Sequence, residues 1–201
     1  MKNQTIPFRR QLRLVGATAI AFLLFAQPIY GLAGTPTKTS SASADWSVAI
    51  VESTMKRYPT GESWKGWGYA KALYLYGVYL TYLRTHDPRY LDHIKSWVDV
   101  HVDDKGTINR QINSLDYMQP GNLLLILYKE TKQEKYKLAA ENIRKVFDTY
   151  PRTKDGGFWH ANIPSRAWQL WADGVFMSLP FLARYGQMFS DSKYANDEVV
   201  K

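Results

Sequence analysis

The distribution of apolar and polar positions along the chain predicts an α-helical protein. Between residues 45 and 189, apolar side chains recur at three- and four-residue spacing, the period of an amphipathic helix. Asp45 is placed to cap the first helix, and proline-containing turns follow at 59–61 and 87–88. No β-branched stretch alternates with a period of two for long enough to indicate a sheet. We therefore predict helices over residues 46–58, 69–85, 89–102, 120–131, 134–150 and 169–189.

A weak internal repeat relates these helices. Residues 82–90 align with residues 128–136, since both segments begin and end with Tyr and carry Thr at the fourth position. A third copy, residues 185–194, is one residue longer. In each copy an apolar helix ends, a short polar turn follows, and a Tyr opens a more polar helix. This pattern predicts stacked helical hairpins, about three in number, with apolar inner helices and amphipathic outer helices.

The first 33 residues have the features of an export signal. Four basic residues precede an apolar run at 14–26, which is shorter than the roughly 20 residues of a membrane-spanning helix. Gly31 and Ala33 fit cleavage after residue 33, and residues 34–44 form a small, polar linker. We expect a secreted or periplasmic protein without stable membrane insertion after cleavage. An uncleaved anchor is the alternative.

Charge and composition narrow the classes of function. Removal of residues 1–33 lowers the formal net charge from +8 to +4, so the basic excess lies largely in the signal and does not indicate nucleic-acid binding. The chain has no cysteine, and its four histidines lack the spacing of metal ligands. Neither a glycine-rich phosphate loop nor a nucleophile elbow is present. We therefore predict no metal and no cofactor.

Candidate chemistry lies in two long loops, 103–119 and 151–168. Each joins an outer helix to the next inner helix, so their ends should meet at one rim of the array. The first loop delivers Asp116, which could instead serve the turn before Pro120. The second leads to Asp173, which lies beside Trp171 and an apolar run at 175–177. Desolvation there would raise the pKa of Asp173 toward that of a general acid, unless Asp173 simply caps the following helix.

Several further side chains could contact a ligand near these loops. His160 follows a Gly-Gly-Phe-Trp segment and could bind substrate or be a loop histidine without a role. Aromatic residues make up 14% of the chain, which is high enough that some rings should line a cleft. The rings that suit stacking on sugar faces, unless they belong to the core, are Trp64, Trp67, Tyr69 and Trp171.

Two segments, PRTKDGGFWH at 151–160 and WQLWADGVFMSLPFLARYG at 168–186, resemble the unsaturated rhamnogalacturonyl hydrolases of glycoside hydrolase family 105. These enzymes are relatives of the family 88 unsaturated glucuronyl hydrolases. WGY at 67–69 and SLDYMQPGNLLL at 114–125 follow the same pattern, and the resemblance extends from about residue 46 to the end. It implies the first part, residues 45–201, of an (α/α)6 barrel of six hairpins, so the chain is expected to be truncated.

The resemblance also implies a reaction and a set of site residues. Such enzymes release a 4,5-unsaturated uronic acid from oligosaccharides by hydration of its C4=C5 double bond. Asp173 matches the general acid/base of the family and Asp116 its second acidic residue. The residues expected to bind the substrate are Tyr69, His160, Trp171, Gln169 and Trp67. Two alternatives stay open: a non-catalytic helical-repeat fragment that binds carbohydrate or a partner, and an enzyme acting on unsaturated glycosaminoglycan fragments.

Overall fold

Seven α-helices account for most of residues 44–191, the part of the chain that the computed structural model describes. They are α1 (Trp46–Arg57), α2 (Tyr69–Thr85), α3 (Pro88–Asp99), α4 (Leu115–Met118), α5 (Gly121–Thr131), α6 (Glu134–Val146) and α7 (Gly174–Phe189), with 3-10 turns at Gly61–Trp64 and Pro164–Arg166. β-structure in this part is limited to isolated bridges. The all-α prediction is confirmed, whereas the predicted signal and all but the last residue of the predicted linker lie outside the described residues.

The ends of the helices follow local capping. Asp45 caps α1 as predicted, because its carboxylate accepts a hydrogen bond from the Val48 amide at 3.2 Å. The predicted limits of α3 and α6 were too long at their C-terminal ends, by three and four residues. The predicted start of α7 at residue 169 was wrong. Trp168 has a φ of 65° and the Gln169 carbonyl accepts a hydrogen bond from the His160 amide at 2.7 Å, so this segment forms loop structure and the helix begins at Gly174.

The inner helices of the repeat end in the same way. His86, Lys132 and Ser190 adopt left-handed φ values of 57°, 58° and 58° after α2, α5 and α7. Each donates its amide hydrogen to the carbonyl four residues earlier, which closes the last turn. The predicted repeat is therefore present in the backbone, including the extra residue of its third copy. Tyr194, which closes that copy in the sequence, lies outside the described residues.

Helices α2, α5 and α7 are the inner helices, and α3 and α6 are the outer helices. α2 pairs with α3 and α5 with α6, and each outer helix also contacts the next inner helix. Large side chains, including Trp97, Tyr136 and Phe181, are fully buried between the layers. Because the chain reverses at every hairpin, the inner helices run in the same direction and begin at the same rim. None of the helices in this part of the chain is both long and apolar enough to cross a membrane.

A short β-turn structure follows each outer helix and was not predicted. Val102 pairs with Ile108 after α3, and Arg152 pairs with Phe158 after α6, both in antiparallel orientation. The two tips have matching backbone hydrogen bonds, from residue 103 to the carbonyl of 107 (3.1 Å) and from residue 153 to the carbonyl of 157 (2.8 Å). Gly106 and Gly156 occupy equivalent positions with φ values of 74° and 89°. The tips direct both long loops back across the rim.

Candidate active site

The two long loops meet at the rim, as their positions in the repeat predict. The Leu115 amide donates to the His160 carbonyl at 3.1 Å, and the Asn162 amide donates to the Asn113 carbonyl at 2.8 Å. Ser114 and Ala161 form an antiparallel bridge between these hydrogen bonds. The pairing places Asp116, on the first turn of α4, beside His160 on the second loop. Asp116, His160 and Asp173 each offer an oxygen or nitrogen atom within 4.8 Å of the others.

Asp116 is the desolvated carboxyl group of this cluster. Its amide donates to the Ser114 hydroxyl at 3.3 Å, so Ser114 caps α4 and fixes the backbone of Asp116. The side chain is only 27% exposed, and its Oδ1 atom is buried without a hydrogen-bond partner among the described residues. Burial raises the pKa of Asp116, the nearby His160 lowers it, and the Asp173 carboxylate raises it. Oδ1 of Asp116 therefore makes no hydrogen bond within the turn before Pro120.

His160 connects Asp116 to the aromatic part of the site. Its ring is 7% exposed and stacks on Trp171, with centroids 4.0 Å apart and planes inclined by 9°. The Nε2 atom lies 3.8 Å from Asp116 Oδ2, close enough for an ion pair when the imidazole is protonated. Its Nδ1 atom is buried and makes no hydrogen bond within residues 44–191. His160 is therefore a buried, stacked residue and not an exposed loop histidine.

Asp173 is neither the desolvated carboxyl group nor the side-chain helix cap that the sequence suggested. It is exposed, so the prediction of a carboxyl group desolvated by Trp171 and the apolar run was wrong. It occupies the N-cap position of α7, yet its side chain makes no capping hydrogen bond in the described structure. The Asp173 carbonyl instead accepts from the amides of Phe176 and Met177 at 2.9 and 3.0 Å. Its carboxyl group is left facing Asp116 and His160 on the open side of the cluster.

Gln169 and Trp171 form one hydrogen-bonded unit beside the carboxyl groups. Gln169 Oε1 accepts from Trp171 Nε1 at 3.1 Å and from Arg166 Nη1 at 3.2 Å. The Arg166 guanidinium carbon lies 4.8 Å from the centroid of the Trp171 ring, so the cation packs on the indole. Gln169 therefore orients Trp171 and Arg166. Arg166 could not be selected from the sequence, because its contacts depend on the irregular path of the second loop.

The two aromatic residues at the start of α2 have different environments. Tyr69, its first residue, is 39% exposed and lies at the rim, consistent with the prediction of a ligand contact. Trp67 is only 6% exposed and stacks on Trp97 with centroids 5.3 Å apart. Its Nε1 atom donates to the Tyr117 carbonyl at 2.8 Å. The prediction that Trp67 binds substrate is therefore corrected: Trp67 belongs to the core and supports the helix that carries Asp116.

Asp116, His160 and Asp173 are also the described residues that could hold a metal ion. Two carboxylates and one imidazole are suitable ligands for several divalent cations. The spacing of histidines could not indicate this cluster, because its members come from loops that are distant in sequence. Occupation by a metal would engage the carboxyl groups that acid–base chemistry requires.

The class of protein is shown by comparison with known families. Residues 46–201 match the family described as Glycosyl Hydrolase Family 88, and the chain belongs to this family. It is 29% identical over 153 residues to the unsaturated rhamnogalacturonyl hydrolase YesR of Bacillus subtilis (strain 168). That match covers 74% of this chain and 43% of the relative, so the chain spans less than half of the relative's length.

Solved structures give the same result for the fold. A glycoside hydrolase from family 105 of C. acetobutylicum ATCC 824 superposes with a TM-score of 0.69 and 32% identity, over 78% of this chain and 44% of that protein. A possible GH105 member from Klebsiella pneumoniae subsp. pneumoniae MGH 78578 has a TM-score of 0.67 and 20% identity, over 86% of this chain and 51% of that protein. The predicted family resemblance and part of an (α/α)6 hairpin fold are thus confirmed.

Proposed function

We propose that the protein hydrates the C4=C5 double bond of a 4,5-unsaturated uronic acid and releases this sugar from oligosaccharides derived from pectin or rhamnogalacturonan. The observation that carries the proposal is the grouping of Asp116, His160 and Asp173 within 4.8 Å, beside the ring of Trp171. The name of the Bacillus subtilis relative supports the substrate class. Family membership supports hydrolysis of a sugar bond.

The proposed reaction adds one water molecule across the double bond. The carboxyl group of Asp173 gives its proton to C4, and water attacks C5 while its proton passes to the Asp173 carboxylate. The hemiketal formed at C5 opens, and the glycosidic partner then leaves. One carboxyl group thus acts first as acid and then as base, and it ends the cycle protonated. This differs from ordinary glycoside hydrolysis, in which two carboxyl groups share these tasks.

The exposures of the two carboxyl groups support this division of roles. Asp173 is exposed at the start of α7, where an incoming sugar can reach it. Asp116 is mostly buried beside it, and burial raises the pKa of Asp116, which favours a proton on Asp116 itself. We therefore assign proton transfer to Asp173 and assign to Asp116 the retention of a proton near it and the orientation of water. Trp171, which stacks on the buried ring of His160, lines the site beside the sugar.

The proposal predicts that Asp173→Asn abolishes turnover. Loss of a general acid/base lowers the rate by about 10²–10⁴-fold or more, because the amide cannot exchange the proton with C4. The measurement is the loss of ultraviolet absorbance of the double bond on unsaturated rhamnogalacturonan disaccharide. Asp92→Asn, on the exposed side of α3, makes the same chemical change away from the rim and should leave the rate unaltered. Full activity in Asp173→Asn would remove this residue from the mechanism.

The same assay separates the alternatives. A chelator should not change the rate, because the proposed chemistry uses carboxyl groups alone. Turnover of unsaturated glycosaminoglycan disaccharides in place of pectin-derived ones would change the substrate and keep the reaction. Binding of either sugar without turnover by the unmodified chain would support the non-catalytic carbohydrate-binding alternative. We also propose export to the periplasm or the medium, on the basis of the basic and apolar segments of residues 1–33.

A further inference from the structure

We propose that Asp116, His160 and Asp173 bind a divalent transition-metal ion of the Zn²⁺ type, and that the bound ion prevents the reaction proposed above. The metal site stands on the geometry of the three side chains. The inhibition rests on the proposed function, because the ion would occupy the carboxyl groups that the acid–base chemistry uses.

The first argument is the imidazole of His160, which is buried and makes no hydrogen bond within residues 44–191. Its side chain is only 9% exposed, and its Nε2 atom lies 3.8 Å from Asp116 Oδ2. A hydrogen bond requires a shorter distance of about 2.7–3.2 Å. Two ligand atoms of a tetrahedral Zn²⁺ ion, with bonds of about 2.0–2.1 Å, are about 3.3–3.5 Å apart. An ion between the two residues would therefore satisfy both side chains after a small adjustment.

The second argument is that Asp173 can supply a third ligand. One ligand atom of each of the three residues lies within 4.8 Å of the others. Asp173 is exposed, and its side chain makes no capping hydrogen bond to α7. Rotation of this side chain can therefore close the remaining gap, about 1.5 Å for a tetrahedral ion, without loss of a hydrogen bond in the described structure.

The third argument is the charge of the cluster. The carboxyl groups of Asp116 and Asp173 lie close together, and within the described residues the ion-pair partner of Asp116 is the His160 ring. Asp116 Oδ1 is buried without a hydrogen bond in the same part of the chain. Buried charges in proteins are generally paired or coordinate metal ions. A divalent cation would neutralise both carboxylates at once.

The types of ligand determine which cations fit. An imidazole nitrogen suits Zn²⁺ and other transition-metal ions, whereas Mg²⁺ and Ca²⁺ take oxygen ligands. His160 Nδ1 makes no hydrogen bond within residues 44–191 that would orient the ring, and such outer contacts contribute about 10–100-fold in affinity. We therefore expect reversible binding of Zn²⁺, weaker than at a structural zinc site, and no binding of Mg²⁺ at the same concentration.

Bound Zn²⁺ would prevent hydration because it takes the oxygen atoms that exchange protons. A coordinated Asp173 carboxylate carries no proton for C4, and it cannot accept one from water while its oxygen binds the ion. Coordination of Asp116 would remove its proton in the same way. The ion is thus an inhibitor of the proposed reaction and not a cofactor for it.

The test is calorimetric titration of the full chain with ZnCl₂ and with MgCl₂. The protein carries no histidine tag and is first freed of metal with a chelator, which is then removed by dialysis. The unmodified chain should bind one Zn²⁺ per molecule. Asp173→Asn and His160→Asn should each bind Zn²⁺ at least about 10-fold more weakly, since loss of a ligand costs no less than loss of a group that orients one. Thermal unfolding without zinc verifies that each variant is folded.

Asp92→Asn and His86→Asn are the matched controls, since they make the same chemical changes at exposed positions. His86 has a φ of 57°, a conformation that Asn tolerates. Both controls should retain the affinity of the unmodified chain. The metal site is rejected if the unmodified chain does not bind Zn²⁺, or if either folded ligand variant binds it as tightly as the controls do.

The double-bond absorbance assay tests the inhibition separately. Zn²⁺ at about ten times its Kd should lower the rate about 10-fold, and excess chelator should restore it. A full rate with Zn²⁺ bound would overturn the inhibitory role. Zinc binding by a chain that hydrates no unsaturated sugar in zinc-free buffer would uphold the metal site and reject both the proposed reaction and its inhibition.

Discussion

At the scale of single residues, the important group is a carboxylate that the fold stabilises poorly. Asp116 is mostly removed from water, faces a second carboxyl group, and leaves one oxygen without a hydrogen bond among the described residues. His160 offsets this in part, but burial is the largest influence and raises the pKa of Asp116. Such strain is typical of functional sites, where stability is given up for chemistry.

The sign of this shift predicts that Asp116→Asn stabilises the protein at neutral pH. Folding raises the pKa of this carboxyl group, so its contribution to stability is fully present below the unfolded pKa of 3.8, where the group is protonated. As the pH rises through the folded pKa, the group loses its proton and the folded state loses that contribution. The amide carries no charge, so the variant escapes the cost at neutral pH. Denaturant unfolding should show a gain that shrinks as the pH falls toward 3.8. Asp92→Asn makes the same chemical change at an exposed position on α3 and is the control for the substitution itself.

An unchanged or lowered stability of Asp116→Asn at neutral pH would mean that His160 stabilises the charged form more than burial destabilises it. Activity should fall in the same variant, because the pair can no longer share a proton. Gain of stability with loss of activity would identify Asp116 as a residue kept for function.

Residue types and order in the sequence were sufficient to select Asp116, His160 and Asp173, but not to say which of them is buried. The apolar run after Asp173 suggested desolvation, yet Val175 and Phe176 are themselves 60% and 51% exposed. Trp67 was misjudged for a related reason, because an indole beside a loop can pack inward as easily as outward. Exposure depends on contacts between segments that are distant in the chain, which a local pattern does not contain.

At the scale of elements, the two β-turn tips set where the long loops cross the rim. The tip after α3 packs closely on α6: a Cβ added at Gly106 would lie 2.5 Å from the Leu138 Cβ atom and 2.7 Å from the Ala139 nitrogen. Asn142 also donates to the Gly106 carbonyl at 3.1 Å. The first loop is therefore attached to the outer helix of the next hairpin, as well as to the second loop.

Substitution of Gly106 by Ala should destabilise the protein by about 2–4 kcal/mol, because it combines a positive φ with overlap against the backbone of α6. Gly77→Ala is the matched control within α2, since a Cβ there meets nothing within 4 Å. It should stabilise the helix by about 0.5–1 kcal/mol. Chemical denaturation measures both. Equal effects of the two substitutions would contradict the close packing of the tip on α6.

Six of the seven helices were predictable because apolar periodicity extends over many residues, whereas the four residues of α4 are too few to show it. The ends were predictable where a cap is encoded locally, as at Asp45. They were not predictable at α7, where the loop conformation of residues 168–172 depends on a hydrogen bond to His160 from another part of the loop. The two β-turn tips were not predicted because each contains a single β-bridge, which is too short to show an alternation of apolar and polar residues.

At the scale of the whole molecule, an apolar surface accompanies the site. Trp168, Leu170, Val175 and Phe176 are between 51% and 64% exposed and lie close together along the chain. Exposed apolar side chains in such number favour contact with other molecules, including copies of the same chain.

Sedimentation velocity of residues 34–201 should therefore show association that increases with protein concentration. Replacing both Val175 and Phe176 by Gln should shift the distribution toward monomer, because it removes apolar area from this surface. Ile50→Gln provides the control, since Ile50 is 55% exposed on α1, away from this surface. If the unmodified chain sediments as a monomer at every concentration, these side chains do not mediate self-association.

The backbone pairing of Ser114 and Ala161 has an evolutionary consequence. Asp116 and Asp173 lie on different repeat units, and the bonds between the two loops place His160 beside Asp116. Duplication, loss or exchange of one unit would conserve the helical architecture while dividing the reactive pair. The proposed reaction therefore depends on neighbouring units jointly, and the junction between them is expected to diverge more slowly than either unit.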